Sequence, residues 1–500
     1  MGADGLLYHA DLARHGAGYF SNAIGQYDRP IRSANTVGGT SRRRLRLNTS
    51  IVILAAGQGK RMRSALPKVL QPLAGRPVLR HVIECAQALG AEDICVVYGH
   101  GGEKVPAAFA GESVRWALQA ERLGTGHAAQ QAMAATPDAN RVLILFGDVP
   151  LIRPSTLAVM LEACGDDEVG VLTVDMDDPS GYGRIVRRNG NVVRNVEQKD
   201  ASEAEQRIRE INTGVLCAPA TRLKPWLALL QNANAQGEYY LTDVIGMAAA
   251  EGIVIRGVKA DDWKEVMGIN DRKQLALAER ALQQRLVEEL MADGVSFADP
   301  DRVDIRGKLA CGADVFIDVN SVFEGNVTLG DNVKVESNNV IRNSSLGSGT
   351  VVHPNCHIDG ASAGEACEIG PFARLRPGAE LEQKVKIGNF VEVKKSTIAA
   401  GSKVNHLSYI GDTTIGSNIN VGAGTITCNY DGANKHRTVI GDGAFIGSGV
   451  ELVAPVEIGA GATIGAGSTI SKPAPPDALT VARARQVTVP DWQKPRRKEK

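Results

Sequence analysis

Residues 440–470 read IGDGAF, IGSGVE, LVAPVE, IGAGAT, IGAGST and I, so that an aliphatic residue returns at every sixth position. Earlier stretches from about residue 305 keep the same spacing with slips. A period of six fits neither an α-helix nor a long alternating strand. It fits short strands turned by glycine and small residues, stacked so that neighbouring coils bury each other's aliphatic side chains. The sequence therefore predicts a parallel β-helix of hexapeptide repeats.

The bulk composition excludes several classes of function. Lys plus Arg and Asp plus Glu number 56 each, which gives no global charge for nucleic acid or an anionic membrane. The eight cysteines lack CxxC spacing, so neither a zinc site nor a disulfide framework is indicated, and a reducing cytoplasm is expected. No apolar run approaches the ~18 residues of a membrane span.

The chain of 500 residues divides into segments of different texture. Residues 1–47 are rich in Gly, Asn, Ser and Arg and are predicted to be a disordered extension, with a targeting or nucleic-acid arm and a misassigned start as alternatives. The predicted segments that follow are an α/β domain over 48–270, a linker helix over 271–293, the β-helix over 294–472 and a C-terminal tail over 473–500.

Strands and helices alternate in the α/β segment. Ile51–Leu54, Ile94–Tyr98 and 141–148 (RVLILFGD) have the composition of buried strands, whereas Pro77–Leu89 and Gly126–Ala135 have helical spacing. This alternation predicts a mostly parallel sheet whose ligands lie at the carboxyl ends of the strands.

A glycine-bearing turn, AAGQGKRM, follows the first strand. Gly57 and Gly59 allow backbone N–H groups to approach a phosphate, and Arg61 and Lys68 add cations. The turn is neither a dinucleotide GxGxxG motif nor a Walker loop, and alone it could be an ordinary strand-to-helix turn. Asp148 closes a buried strand nearby, as a Mg²⁺ ligand would, although a helix N-cap is the alternative.

The hexapeptide rhythm is interrupted by TCNYDGANKHRTV at residues 427–439. Arg376, Lys394, His406 and Tyr409 occur in the preceding coils, among glycines and aliphatics. Single polar residues in turns are usually only solvated. Their accumulation beside an inserted loop, however, indicates a functional face of the solenoid.

The motifs GTGHA, FGDVPLI, DDPSGYGRIV, VEQKD, EINTGV and GEYYLTDVI resemble the sugar-nucleotidyltransferase superfamily. More narrowly, they resemble the bacterial bifunctional N-acetylglucosamine-1-phosphate uridylyltransferase and glucosamine-1-phosphate acetyltransferase family, from about Ser50 to Pro490. This family commonly has Tyr where Phe146 stands here, and the loss of one hydroxyl is expected to change little.

The resemblance implies a role for residues in each half of the chain. In the first half, the residues implied to bind the nucleotide or the amino-sugar are Leu54, Ala55, Ala56, Gly57, Arg61, Lys68, Gln119, Gly124, Thr125, Phe146, Gly147, Asp148, Gly183, Glu197, Asn212 and Asn270. Asp148 and Asn270 would be the ligands of Mg²⁺. In the second half, His406 would be the general base, and Glu392, two residues before Lys394, is predicted to orient it. Arg376, Lys394, Tyr409 and Asn420 would bind the sugar phosphate, and acetyl-CoA would contact Ala423, Asn429, Tyr430, Ser448, Ala466 and Arg483.

The activity implied is acetylation of glucosamine-1-phosphate by acetyl-CoA, followed by uridylyl transfer from UTP to N-acetylglucosamine-1-phosphate. The product, UDP-N-acetylglucosamine, would feed peptidoglycan and lipopolysaccharide synthesis. The resemblance also implies a left-handed β-helix and a homotrimer. Two alternatives remain at this point: a nucleotidyltransferase whose solenoid is only regulatory or trimerising, and a non-catalytic hexapeptide scaffold.

Overall fold

The computed structural model describes residues 49–494 except residues 92 and 139. The predicted extension over residues 1–47 lies outside this range. No helix in the described part of the chain is long and apolar enough to cross a membrane.

The first half of the described chain is a sheet covered by helices, because its aliphatic runs are buried on both faces. Its strands are β1 Thr49–Leu54, β2 Pro72–Leu73, β3 Arg76–Pro77, β4 Asp93–Tyr98, β5 Arg115–Leu118, β6 Arg141–Phe146, β7 Val169–Asp175, β8 Gly183–Arg188, β9 Asn191–Val196, β10 Glu210–Pro219 and β11 Ile255–Lys259. Its helices are α1 Val78–Ala88, α2 Lys104–Ala107, α3 Thr125–Met133, α4 Pro154–Ala163, α5 Glu203–Gln206, α6 Ala220–Leu229 and α7 Asp243–Ala250, with 3-10 turns at Lys60–Met62, Lys68–Leu70 and Trp263–Val266.

The main sheet has the strand order β11-β7-β10-β6-β1-β4-β5, and β8 and β9 attach beside β10. β1 pairs in parallel with β4 and β6, whereas β10 runs antiparallel to its neighbours. The predicted α/β class with a mixed sheet is therefore confirmed.

A single long helix, α8 (Arg272–Ala292), leads from this domain to the solenoid. It begins at Asp271, whose carboxylate caps the helix by accepting from the Gln274 N–H at 2.9 Å. Ala278 and Leu282 pack against the first domain, and Val287 packs into the core of the solenoid.

The solenoid consists of short parallel strands. They are β12 Ser296–Phe297, β13 Val303–Cys311, β14 Phe316–Ile317, β15 Ser321–Leu329, β16 Lys334–Val335, β17 Val340–Arg342, β18 Ser345–Leu346, β19 Val351–Val352, β20 His357–Asp359, β21 Ser362–Ala363, β22 Glu368–Ile369, β23 Arg374–Leu375, β24 Ala379–Leu381, β25 Lys386–Asn389, β26 Glu392–Lys394, β27 Ser396–Ile398, β28 Lys403–His406, β29 Tyr409–Gly411, β30 Thr413–Ile415, β31 Asn420–Val421, β32 Ile426–Cys428, β33 Thr438–Ile440, β34 Phe445–Ile446, β35 Glu451–Val453, β36 Val456–Ile458, β37 Thr463–Ile464, β38 Thr469–Ile470 and β39 Leu479–Thr480. A 3-10 turn at Pro300–Arg302 precedes β13.

One coil of the solenoid corresponds to about three hexapeptides. Val351 pairs with Glu368, 17 positions later, and Phe445 pairs with Thr463, 18 positions later. The predicted inward residues are all nearly inaccessible to solvent: Ile440, Ile446, Leu452, Ile458, Ile464 and Ile470 are at most 2% exposed. The predicted parallel β-helix is confirmed. Its sheet continues into the segment assigned to the tail, since Leu479 pairs with Thr463.

The hairpin of β2 and β3 is held on α1 by a buried histidine. His81 donates through Nε2–H to the Leu73 carbonyl at 3.0 Å, and its Nδ1 lies 3.4 Å from the Arg76 guanidinium, which donates to it. Burial lowers the pKa of His81 from 6.5 to about 4, and the charges of Arg76 and Arg285 act in the same direction. The ring is therefore neutral at pH 7.

Acid should weaken the first domain through His81. Between pH 6.5 and about 4, His81 binds a proton in the unfolded chain but not in the folded chain. The free energy of unfolding therefore falls as the pH drops, by on the order of 3 kcal/mol once the pH is below both pKa values. Urea unfolding followed by tryptophan fluorescence at pH 7 and pH 4.5 should show a smaller loss for His81→Gln than for the unmodified chain. Equal losses in the two proteins would contradict this.

Candidate active sites

A cavity of about 520 Å³ opens at the carboxyl ends of β1 and β6. Ten of the residues predicted for the nucleotide line it: Leu54, Ala55, Ala56, Gly57, Lys68, Gln119, Gly124, Thr125, Phe146 and Asp148. Six others that the sequence analysis did not single out also line it: Gln58, Lys60, Val69, Arg122, Ala128 and Glu238. Arg61, Gly147, Gly183, Glu197, Asn212 and Asn270 lie outside this lining.

Strand register brings the glycine-bearing turn and the acidic strand end together. Leu54 pairs with Phe146, and the Gly147 N–H donates to the Leu54 carbonyl at 2.9 Å. Gly147 has no room for a side chain, since a Cβ there would lie 2.8 Å from the Ala55 Cβ. Asp148 therefore emerges directly beside the turn that follows β1.

Lys68, Asp148 and Asn270 meet although they are far apart in sequence. The Lys68 ammonium donates to the Asp148 carboxylate and, at 3.2 Å, to the Asn270 side-chain oxygen. Asn270 is brought there by its neighbour Ile269, whose N–H donates to the Asp148 carbonyl at 2.8 Å. One carboxylate oxygen and one amide oxygen thus converge on a cation.

This pair of oxygens is chemically suited to a divalent ion that takes its other ligands from substrate and water. Among the described residues there is no group of three or more His, Cys, Asp or Glu that could hold a metal by itself. The Lys68 ammonium already stands where the two oxygens converge, so the oxygens are arranged to face positive charge.

The opposite end of the cavity is shaped by backbone. Gly124 has φ +111°, and a Cβ there would lie 2.5 Å from the Tyr239 carbonyl oxygen. The buried Gln119 amide donates to the Gly124 carbonyl at 3.1 Å, while the Thr125 hydroxyl accepts from the Leu241 N–H. This wall is rigid and offers backbone groups, which suits recognition of a flat base edge.

The predicted amino-sugar residues lie on the neighbouring strands. Gly183 and Asn212 are direct partners between β8 and β10, and the Glu197 carboxylate accepts from Asn195 and Thr242. Tyr182, which the sequence analysis missed, faces Asp148: burial raises the pKa of Tyr182, and the negative charge of Asp148 adds to this shift. Tyr182 stands immediately before the predicted Gly183, in the motif SGYGRIV.

In the solenoid, His406 is held by an asparagine of the preceding coil. Asn389 and His406 are paired in register, and His406 Nδ1 lies 2.6 Å from Asn389 Oδ1. Since an amide oxygen only accepts, the Nδ1–H donates and the Nε2 lone pair stays available. The two residues line one cavity of about 500 Å³, together with His353, Pro354, Gly370, Pro371, Lys386, Gly388 and Asn405.

The prediction that Glu392 orients His406 is wrong. The Glu392 carboxylate accepts from Arg376 at 2.8 Å and from Arg374 at 3.5 Å, because neighbouring coils place these arginines beside it. Asn389 occupies the orienting position instead. The sequence contained a signal for it, since Asn389 lies 17 positions before His406, which is the length of one coil.

Three cations, Arg376, Lys394 and Lys435, lie close together where the inserted loop returns to the solenoid. The adjacent Lys435, followed by burial and Arg376, lowers the pKa of Lys394. The loop is fixed by the Asn429 amide, which donates to the Asp412 carboxylate at 2.6 Å, and by the bridge between Tyr430 and Lys435. Such crowded positive charge is relieved by an anion.

Four of the six residues predicted to contact acetyl-CoA form a column, whereas Asn429 and Tyr430 lie in the inserted loop. Ala423, Ser448 and Ala466 follow at intervals of 25 and 18 positions, which are also the register intervals from Asn420 to Phe445 and from Phe445 to Thr463. The interval of 25 contains the inserted loop. Arg483 joins the column by donating to the Ala466 carbonyl at 2.9 Å.

Comparison with known proteins gives the following similarities. Residues 51–237 match the MobA-like NTP transferase domain family, and residues 437–472 match the bacterial transferase hexapeptide (six repeats) family. The chain is 57% identical over 446 residues to the bifunctional protein GlmU of Azoarcus sp. (strain BH72), covering 89% of this chain and 99% of the relative. It is 58% identical over 450 residues to that of Aromatoleum aromaticum, covering 90% and 99%. It is 56% identical over 452 residues to that of Ralstonia nicotianae, again covering 90% and 99%.

Asn389→Leu should loosen His406 while leaving the solenoid intact, because the substitution removes only the acceptor of the Nδ1–H. We expect the histidine to lose its fixed tautomer, seen in the ¹⁵N shifts of the ring. Release of thiol from acetyl-CoA should slow by roughly tenfold, since an orienting contact is worth less than the ~10²–10⁴-fold of a whole general base. An unchanged tautomer and rate would refute the assignment.

Proposed function

The chain belongs to the GlmU family of bifunctional proteins, and from that premise we propose which residues carry each of its two activities. The protein acetylates glucosamine-1-phosphate with acetyl-CoA. It then transfers uridylyl from UTP to N-acetylglucosamine-1-phosphate, which yields UDP-N-acetylglucosamine and pyrophosphate. The product supplies cell wall synthesis.

The observation that carries this conclusion is the extent of the match. An identity of 57% spans 89% of the chain and 99% of the relative, so it includes both the nucleotidyltransferase domain and the solenoid. A scaffold without chemistry would have no use for the Lys68, Asp148 and Asn270 cluster or for the held His406.

In the first domain, we assign uridylyl transfer to the cavity at the carboxyl ends of β1 and β6. The sugar phosphate is already an anionic nucleophile, so in-line attack on the α-phosphorus of UTP needs positioning and charge neutralisation rather than a strong base. Lys68 and Arg61 would meet phosphate oxygens, with Lys60 and Arg122 at the rim. Gln119, Gly124 and Thr125 would hold the uracil, and Gly183, Glu197 and Asn212 the amino-sugar.

We propose that Asp148 and Asn270 hold Mg²⁺. The support is the convergence of their side-chain oxygens on the Lys68 ammonium. When bound, the ion would neutralise phosphate charge. Lys68 would then exchange its bond to Asp148 for a phosphate oxygen, since one carboxylate oxygen cannot serve both cations equally well.

In the solenoid, His406 would accept a proton at Nε2 from the 2-amine of glucosamine-1-phosphate as that amine attacks the thioester. The Nδ1–H bond to Asn389 leaves the Nε2 lone pair available and fixes the direction in which it points. Arg376 and Lys394 would neutralise the sugar phosphate, and Lys435 adds a third cation. Tyr409 and Asn420 would line the sugar pocket, and Asn429 and Tyr430 would lie at its rim, where they would also contact acetyl-CoA. Ala423, Ser448, Ala466 and Arg483 would form the acetyl-CoA track.

A homotrimer with a left-handed solenoid is the assembly we propose. Arg376, Lys394, Tyr409 and Asn420 do not line the cavity of His406 within one chain, so a neighbouring chain would complete the acetyltransferase site. We further propose a cytoplasmic location, because all eight cysteines carry free thiols. The segment bounds proposed are 48–270 for uridylyl transfer, 271–293 for the linker and 294–472 for acetyl transfer.

Two substitutions should separate the activities. His406→Ala should abolish thiol release from acetyl-CoA, by at least ~10²-fold, and leave uridylyl transfer to N-acetylglucosamine-1-phosphate unchanged. Asp148→Ala should do the reverse, with pyrophosphate release as the measurement. Loss of both activities in either variant, with a normal thermal midpoint, would mean that the two sites are not independent.

A further inference from the structure

The loop between the glycine-bearing turn and Lys68 is hydrogen-bonded to α8, the connector helix. The Arg272 guanidinium donates through Nε to the Met62 carbonyl at 3.3 Å and through Nη1 to the Gln71 side-chain oxygen at 2.9 Å. Gln71 is only 2% exposed and connects Arg272 to the loop. Its amide donates to the Leu66 carbonyl at 2.9 Å and to the Ser64 hydroxyl at 3.1 Å.

These bonds hold an exposed segment that follows the buried Met62. Residues 63–66 are exposed, and Arg63 has φ +47°, a conformation that costs free energy for a residue with a side chain. The segment leads directly into Lys68, whose ammonium lies between Asp148 and Asn270. A shift of the segment would therefore move Lys68.

Arg272 is not explained by the helix that carries it. It is the first helical residue after the cap at Asp271, and a cation in the first turn is unfavourable toward the helix dipole. Arg272 thus occupies a position where an acidic side chain would stabilise the helix better. Its planar fork, in contrast, matches two acceptors in different parts of the loop.

The helix is a rigid support for this contact. Glu279 accepts from the Ala74 N–H at 2.7 Å, and the buried Gln283 exchanges two bonds with the backbone of Ile305, at 2.7 and 2.9 Å. The helix is therefore hydrogen-bonded to both domains. As a result, the backbone that carries the Arg272 side chain is held in place.

We propose that Arg272, acting through Gln71, is a positioning residue for uridylyl transfer: it holds the 62–66 segment so that Lys68 reaches the reacting phosphates. The inference rests on the function proposed above. It makes the first turn of the connector helix part of the nucleotidyltransferase site, in addition to the predicted ligand Asn270 just before it.

The bonds from Arg272 to Met62 and Gln71, and from Gln71 to Leu66 and Ser64, are called the clasp below. Three variants test it. Arg272→Met keeps the aliphatic stem, Arg272→Lys keeps the charge without the fork, and Lys273→Met removes a charge from the next position of the same helical turn. We expect kcat for uridylyl transfer to fall about 10- to 100-fold in both Arg272 variants, because displacements near 1 Å have effects of this size. The KM for N-acetylglucosamine-1-phosphate should stay within about threefold, and acetyl transfer and the Lys273→Met variant within about twofold.

Limited trypsin digestion gives a reading that does not depend on activity. Arg61 and Arg63 flank Met62, so loss of the clasp should speed cleavage of the native protein at these two residues, by about tenfold, in Arg272→Met but not in Lys273→Met. Gln71→Met should slow uridylyl transfer similarly, and the double variant with Arg272→Met should be no slower than the worse single variant.

The proposal is overturned if Arg272→Lys retains the original kcat, since charge alone would then suffice, or if Arg272→Met changes neither kcat nor cleavage. It is also overturned if Arg272→Met lowers acetyl transfer and the thermal midpoint together, which would indicate a general structural role. An unmodified chain without uridylyl transfer would refute the proposed function instead, and the digestion would still decide whether the clasp exists.

Discussion

A coil of the solenoid cannot bury its own aliphatic side chains, and everything in the second half of the chain depends on this constraint. Each inward residue packs against the equivalent residue of the next coil, and the register between most coils is 17 or 18 positions, with 25 positions where the loop is inserted. The outward side chains of neighbouring coils are aligned by the same register, although they do not contribute to the core. Residues that are distant in sequence therefore become neighbours in predictable columns.

The residues that we propose for the chemistry of the solenoid lie in these columns. Asn389 and His406 are neighbours because they are one coil apart, and Ala423, Ser448 and Ala466 align for the same reason. The inserted loop after β32 lengthens one coil without disturbing the stack, since Ile415 still pairs with Ile440. In the proposed acetyltransferase site, the regular coils thus supply rigidity, and the polar exceptions to their pattern supply the reactive groups.

The sequence predicted both fold classes, because hexapeptide spacing and aliphatic runs report directly on burial. It also indicated Asp148, which follows the end of the buried strand β6, and Lys68, which lies in the segment after the glycine-bearing turn. It did not reveal Arg272, Gln71 or Tyr182, since their contacts depend on how the connector helix and the edge strands pack. The prediction for Glu392 is wrong because coil register, and not nearness in sequence to Lys394, decides its contacts, and this register pairs Glu392 with Arg374 and Tyr409.

The two halves of the chain share one helix but no reacting group, so the central claim is that two independent sites work in sequence. The most direct measurement follows thiol and pyrophosphate in one reaction that starts from glucosamine-1-phosphate, acetyl-CoA, UTP and Mg²⁺. Thiol should appear at once and pyrophosphate after a lag, and omission of acetyl-CoA should suppress both signals while omission of UTP should spare thiol. Pyrophosphate release from glucosamine-1-phosphate without acetyl-CoA, or the absence of thiol under all conditions, would contradict the account.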